Sequence, residues 1–333
     1  MHRQKMKRTK RNTYLWQLLA TLLLLATPGM FSACSSDDTN ATPATTPDSE
    51  IRFDVGVWNM LEGTRATFYD NDLLKSEGFM CTAYNAGTTT KYISDVRVDY
   101  AESQWSFSDG KHYWPATESL DFFAYAPINY TTANIIQDLA YTSAPNVTFN
   151  CVNLPMTNAE QADGTLEEFV YDIKTGLNKE NSASGVTLNF QHPFTKIKLQ
   201  LAANHPDITI NSITFKSLKN NGSYDHSGSP SKWTPNGDAT DLLLTFEGAA
   251  ANFNDNPASP KQIGPTFLMI PQEWAGAIEV NASWNDWGDT PVAHTVSTTI
   301  PAITWLPGYS YTYTFTISTD DLTVDVTNFT EQW

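Results

Sequence analysis

Chemistry needs nucleophiles, bases or ligating atoms, and in this 333-residue chain they are few. The thiols are Cys34, Cys81 and Cys151. Cys81 and Cys151 lie in strand-like stretches, where an exported protein can oxidise such a pair, or where each serves as a small buried hydrophobe. No Cys/His spacing suits a metal. His192 continues the alternation of Val186 to Phe190 and precedes Pro193. A lone histidine in such a place reads as a hydrogen-bonded core residue, since no Ser or Cys motif stands ready to use it as a base. Asp70-Asn71-Asp72 and Asn285-Asp286-Trp287-Gly288-Asp289 offer the oxygen ligands that Ca²⁺ takes, but without the loop spacing of a known site, and read as turns. Trp233, Trp274, Trp284 and Trp287 could form an exposed platform for sugar rings, the mark of a glycan-binding protein; sandwich cores consume aromatics as well. These residues predict no catalytic centre, no metal and no cofactor, so the chain is expected not to be an enzyme.

The ends of the chain say more. Arg3, Lys5, Lys7, Arg8, Lys10 and Arg11 open it, and an apolar run from Leu15 to Ala26 follows, short of the roughly 20 residues needed to cross a bilayer. This is the pattern of a secretory signal. It ends in Phe31-Ser32-Ala33-Cys34, which resembles a bacterial lipobox with Phe in place of the usual Leu. Such a cysteine carries acyl chains, palmitate among them, and at about 0.8 kcal/mol per buried methylene several chains hold a domain on a membrane. A plain signal peptide with a chance cysteine is the alternative. Ser35-Ser36-Asp37-Asp38 resembles the acidic tetrapeptide that sends some lipoproteins to the outer face of the outer membrane. Residues 1–33 are therefore expected to be the signal and 34–49, rich in Thr, Pro and Ala, a tether. Without the signal, 14 basic residues face 36 acidic ones, a net charge of −22. A surface so acidic repels phosphate backbones, so no nucleic-acid partner is expected.

What would position these residues is a set of strands. Apolar side chains alternate at Ile51, Phe53, Val55 and Val57; at Val96, Val98 and Tyr100; at Ile197, Leu199 and Leu201; and at Tyr309, Tyr311, Tyr313, Phe315 and Ile317. A period of two means half-buried strands. Turn formers separate them at 85–87, 108–110, 220–222, 236–238 and Pro307-Gly308. Ala159 to Tyr171 is the one stretch with a helical reading. About 13 or 14 strands exceed one sandwich, so the expected fold is all-β, with two consecutive antiparallel β-sandwiches at 50–183 and 184–333, joined in the polar stretch 178–185.

Five motifs occur in order: Trp105-Ser106-Phe107-Ser108-Asp109-Gly110-Lys111-His112-Tyr113-Trp114-Pro115; Leu120-Asp121-Phe122-Phe123-Ala124-Tyr125-Ala126-Pro127; Val186 to Ile197 around His192-Pro193-Phe194; Phe267-Leu268-Met269-Ile270-Pro271-Gln272; and Trp305-Leu306-Pro307-Gly308-Tyr309-Ser310-Tyr311-Thr312-Tyr313. Behind a lipoprotein signal, this set resembles the fimbrillin family of surface lipoproteins, the subunits of type V pili, and the resemblance runs from Cys34 to the C-terminus. It implies transthyretin-like sandwiches, a place in a pilus at the outer membrane, a role in adhesion to a host or bacterial surface ligand, and assembly with other pilus subunits. It further implies that an Arg-specific protease removes an N-terminal strand, opening a groove that the C-terminal strand of another subunit fills by β-augmentation.

Both halves of such an exchange have counterparts here. Ile51 to Val57 alternates as a removable strand would, and Glu62-Gly63-Thr64-Arg65-Ala66 follows it. Arg65 is the expected cleavage site, with Arg52 set aside as lying inside the strand; the alternative is that Arg65 is one more solvated loop residue. In the expected donor strand, 322–333, Leu322, Val324 and Val326 alternate, with Phe329 and Trp333 beyond. Four such side chains would gain roughly 6 to 12 kcal/mol gross on burial, before ordering costs. Alternatively the strand closes its own domain, as in a tip or anchor subunit. One outcome follows from the N-terminal pattern alone: Cys34→Ala releases the protein into the soluble fraction or leaves an unprocessed precursor. Fractionation with palmitate labelling checks this, and continued acylation and surface attachment of the variant contradict it.

Overall fold

A computed structural model describes residues 49–57, 68–130, 135–143, 145–162, 166–203, 209–228, 232–246, 260–284, 290–317 and 322–332. Within them the first half of the chain forms β1 (Phe53–Val57), α1 (Asn71–Glu77), β2 (Phe79–Asn85), β3 (Lys91–Ala101), β4 (Gln104–Phe107), β5 (Leu120–Ala126), β6 (Ile136–Thr142), β7 (Asn146–Cys151), α2 (Asn158–Ala162), β8 (Val170–Leu177) and β9 (Val186–Phe190). The second half forms β10 (Thr195–Ala203), β11 (Thr209–Leu218), β12 (Asn221–Asp225), β13 (Trp233–Asn236), β14 (Thr240–Thr245), β15 (Lys261–Gln262), β16 (Phe267–Met269), β17 (Glu273–Trp274), β18 (Ala277–Trp284), β19 (Val292–Thr299), β20 (Ile303–Thr304), β21 (Tyr309–Ile317) and β22 (Leu322–Gln332). The fold is all-β. The strands outnumber those read from the alternation because pairs such as β17 and β20, two residues each, are too short to carry a period. Of the expected helical stretch only α2 is helical among the described residues, and Val170 onward is strand. Gly222, read as a turn residue, lies inside β12, where its missing side chain leaves room for the Trp233 ring and the β13 backbone.

Seven strands make one sheet in the order β8-β5-β2-β3-β4-β1-β9. Its inner face holds the first core, where the Phe53 ring meets Phe79, Phe107 and Phe122 edge-on at 5.7, 5.0 and 6.3 Å. The sheet curls until its two end strands meet. Gln191 N donates to Tyr171 O at 2.7 Å and Tyr171 N donates to Gln191 O at 3.2 Å. Buried Asp121 clamps the wrap, accepting from Gly87 N at 2.8 Å and Gly176 N at 2.7 Å.

The second core lies among three further sheets, β15-β10-β21-β22, β14-β11-β18-β19 and β13-β12-β7-β6. It takes in side chains from the outer face of the first sheet: Tyr84 stacks on Tyr141 at 4.5 Å, and Tyr171 Oη lies 2.6 Å from Tyr224 Oη. The stretch 178–185 is a mostly exposed turn between β8 and β9. Strands on its two sides share sheets, because β9 pairs with β1, while β7 pairs with β12. Two strand pairs, β1 with β9 and β10 with β21, are parallel. Parallel partners need a long crossover, and more than a hundred residues separate the members of each pair.

Gly78 joins α1 to β2 at φ +73° and ψ −169°, a region nearly confined to glycine, and a Cβ there would stand 2.6 Å from Val98 O. Gly78→Ala is expected to cost about 3 kcal/mol, read as a lower denaturant midpoint at unchanged slope. A midpoint within error of the wild type contradicts the geometry.

Candidate functional site

The site worth building is the slot that β1 fills. Period-two spacing turns Ile51, Phe53 and Val57 into the first core, with relative exposures of 4%, 9% and 6%, while Val55 is half-buried. Burying three such side chains contributes roughly 5 to 9 kcal/mol gross. The chain enters β1 along residues 112–114: Trp114 N donates to Ser49 O and Ile51 N to His112 O, both at 2.8 Å. From Phe53 to Val57 it then runs parallel to β9 in unbroken register with residues 186–190. On its other side it is antiparallel to β4, with a single registered pair, Phe53 with Trp105. β1 is therefore an interior strand with an uneven hold: continuous toward β9 and slight toward β4.

Beside the slight hold lies a cleft of about 350 Å³, lined by Arg52, Gln104, Ser106, Lys111 and His112 among others. Glu50 answers the two cations there, at 2.9 Å from Lys111 Nζ and 3.7 Å from Arg52. Arg52 stands just before β1 rather than within it; its side chain is exposed, and its carbonyl accepts from Val186 N at 2.7 Å. Arg65 lies in residues 58–67, outside the described residues. The two flanks of that segment are tied together, because Val57 N donates to Asn71 Oδ1 at 2.8 Å. This explains Asp70-Asn71-Asp72 without a cation. Asp70 caps α1 by accepting from Asp72 N at 2.9 Å and Leu73 N at 2.7 Å, and Asn71 holds the end of β1.

The downstream flank rests on a buried polar cluster of which the sequence pattern announced only His192, as a hydrogen-bonded core residue. Glu168 Oε1 lies 2.9 Å from His192 Nδ1, both side chains fully buried, and Tyr69 N donates to Glu168 Oε2 at 3.3 Å. Lys196 Nζ sits 3.9 Å from the centre of the Phe68 ring. Burial holds the Lys196 ammonium down to about 8, against the opposing pull of Glu168. Glu168 fell within the stretch read as helix, and its partner is 24 residues away, so only the fold unites them.

The other expected sites are placed as follows. Cys34 lies outside the described residues. Cys81 and Cys151 are free thiols, one in each core, so they do not pair; burial pushes both thiols upward. Trp233, Trp274 and Trp284 are buried in the second core and present no exposed platform; Trp287 lies outside the described residues. Their polar or π faces are used internally, Trp274 Nε1 donating to Lys216 O at 2.9 Å and Trp284 stacking on His294 at 3.7 Å. The strand of Leu322, Val324 and Val326 is β22, whose backbone pairs antiparallel with β21 at the end of its sheet. Leu322 stands opposite Ile317, Val324 opposite Phe315 and Val326 opposite Tyr313. The register slips between Thr327 and Glu331, where the apolar sequence changes phase from Val326 to Phe329.

The fimbrillin-like family profile matches residues 64–333, and the chain belongs to that family. No curated protein sequence matches it. Among solved structures, a fimbrial protein from Bacteroides vulgatus ATCC 8482 is similar, with a TM-score of 0.61 at 16% identity over 86% of this chain and 99% of that one. Proteins provisionally described as cell adhesion proteins, from Bacteroides ovatus ATCC 8483 and Bacteroides uniformis ATCC 8492, both give TM-scores of 0.53, at 14% and 15% identity. They cover 85% and 86% of this chain and 96% and 98% of their own. At these identities the likeness is one of fold, that of fimbrial β-sandwich proteins.

The polar cluster makes a prediction about pH. The folded pKa of Lys196 lies below the ordinary lysine value of 10.5, so between pH 8 and 10.5 the unfolded chain binds more protons and stability rises with pH. Lys196→Met removes the burden of a buried charge. The variant is expected to be the more stable at pH 7, by about 1 to 3 kcal/mol after loss of the ring contact, with the gap closing toward pH 10. Denaturation at both pH values checks it, and a gap that does not change with pH contradicts it.

Proposed function

We propose that this fimbrillin-like chain is a structural subunit of a cell-surface pilus, exported as a lipoprotein through Cys34 and held on the outer membrane. An Arg-specific protease cuts after Arg65, β1 leaves its slot, and the strand 322–333 of another subunit takes the vacant place. The pilus so built serves adhesion to a surface ligand. The observation that carries this reading is the position of β1, an interior strand between β4 and β9 followed within ten residues by Arg65. Loss of an edge strand would shorten a sheet, whereas loss of β1 opens two edges and uncovers Phe79, Phe107 and Phe122, an exposure only another apolar strand can end. Glycan binding by a tryptophan platform is the weaker reading, because three of its four rings are in the second core. His192 is bound to Glu168 in the interior, which favours a structural rather than a catalytic role.

Before cleavage the covalent strand has the advantage of high effective concentration, so the intact subunit is expected to be monomeric. Treatment with an Arg-specific protease is expected to yield multimers from the wild type, and none from Arg65→Ala or from a chain ending before Leu322. Size-exclusion chromatography and denaturing gels check this. Multimers from the truncated chain show that 322–333 is not the donor; monomers after complete cleavage contradict the stalk role and leave a tip, an anchor or a binding protein.

A further inference from the structure

Tyr171 serves two joints at once. Its main chain exchanges hydrogen bonds with Gln191, which closes β8 on β9, while its side chain leaves the wall for the second core. There Tyr171 Oη lies 2.6 Å from Tyr224 Oη on β12 and 2.6 Å from Nδ1 of His226, which follows Asp225 at the end of β12. Lys232 Nζ reaches the same imidazole nitrogen at 3.3 Å. An ammonium can only donate, so Nδ1 must be an acceptor, and the ring is neutral with its proton on Nε2. That assignment sets the direction of the chain of bonds: Tyr224 donates to Tyr171, and Tyr171 donates to His226. The remaining charged neighbour is Asp225, an exposed residue whose Oδ1 accepts from Asn146 Nδ2 at 2.9 Å and from Ser227 Oγ at 2.7 Å. β7 contributes the Val147 carbonyl, which accepts from His226 N at 2.9 Å. Asp172, next in β8, lies on the opposite face of its strand, where it accepts from Asn189 N at 2.7 Å.

We propose that His226 is an acid-sensitive latch, whose neutral imidazole ties the seam of the wall to the second core through Tyr171 and whose protonation releases that tie. A proton added at Nδ1 turns the acceptor into a donor. Tyr171 must then accept from the imidazolium, and one of the two tyrosine hydroxyls is left without an acceptor although both side chains are buried. Lys232 loses its acceptor as well and faces a like charge at 3.3 Å. Burial and the Lys232 ammonium both hold the His226 imidazole below the ordinary histidine value of 6.5, against the weaker pull of Asp225. Below pH 6.5 the unfolded chain therefore takes up this proton more readily than the folded one, and stability present above that pH is lost as the pH falls. The latch stands apart from the strand exchange proposed above, since it is built on β8 and β12 and uses no residue of β1.

Two readouts on the full chain test the latch. In the first, the ring of His226 is titrated by NMR with isotope-labelled histidine, its signal assigned through its own backbone amide. The midpoint is expected below 6.5 in the wild type and higher in Lys232→Met, which removes the facing ammonium and keeps the imidazole. A wild-type midpoint at or above 6.5, or one that Lys232→Met leaves in place, overturns the proposal. In the second, the protection of the Tyr171 and Gln191 amides against hydrogen exchange is compared at about pH 7.5 and about pH 5. Protection is expected to fall several-fold at the lower pH in the wild type, and not in His226→Gln, whose side-chain carbonyl accepts from Tyr171 at either pH. Unchanged protection in the wild type overturns the proposal, and so does an equal fall in His226→Gln, which would mean that another group drives the change. If His226→Gln fails to fold, Lys232→Met supplies the comparison: a smaller fall than in the wild type supports the latch, and an equal one overturns it.

Discussion

The structure depends on the closure of one sheet. Seven strands wrap a core of phenylalanines until β8 and β9 meet at Tyr171 and Gln191, and β1 is the piece that completes the wall between β4 and β9. A closed sheet has no free edges, and free edges invite association. Every strand of such a wall is held on two sides, yet β1 is held strongly on only one, and Ile51, Phe53 and Val57 supply much of what keeps it in place. In the exchange proposed above, that combination suits a strand that is stable while attached and replaceable once cut.

The rest of the molecule keeps the wall in shape. Asp121 fastens the β2–β3 turn and β8 from one carboxylate, and Asn71 and Glu168 secure the two ends of the segment between β1 and α1. The second core leans on the outer face of the wall through Tyr84, Phe123 and Tyr171 and takes in no side chain of β1. The cost of burying Lys196 and the Glu168–His192 pair is borne where the chain resumes after residues 58–67, which keeps Phe68 and Tyr69 fixed beside that segment. The C-terminal strand lies at the end of its own sheet, paired on β21. Leaving that position breaks one ladder, against two for an interior strand.

Alternation was legible wherever apolar and polar side chains take opposite faces: Ile51, Phe53 and Val57 in β1, or Ile197, Leu199 and Leu201 in β10, declare their strands through the pleat alone. Pairing was not legible, because period two says which face is inward and nothing about which neighbour lies beside it. Hence the parallel match of β1 with β9, and the joining of β7 to β12 across the stretch 178–185, came only from the fold. The run 159–171 looked helical because its polar and apolar residues serve tertiary ends. Gln161 is buried to exchange hydrogen bonds with Leu268, and Glu168 to meet His192. Tryptophans were ambiguous for the same reason: composition counts rings, and only packing decides whether Trp274 faces a sugar or Lys216 O.

The central claim is that β1 and a second copy's C-terminal strand compete for one slot between β4 and β9. An electron cryomicroscopy map of the multimers formed after Arg-specific cleavage tests it directly. The account predicts continuous density for residues 322–332 of a neighbour between β4 and β9, and none for residues 53–57 in that place. Density for β1 still in its slot, with subunits joined through another surface, would contradict it.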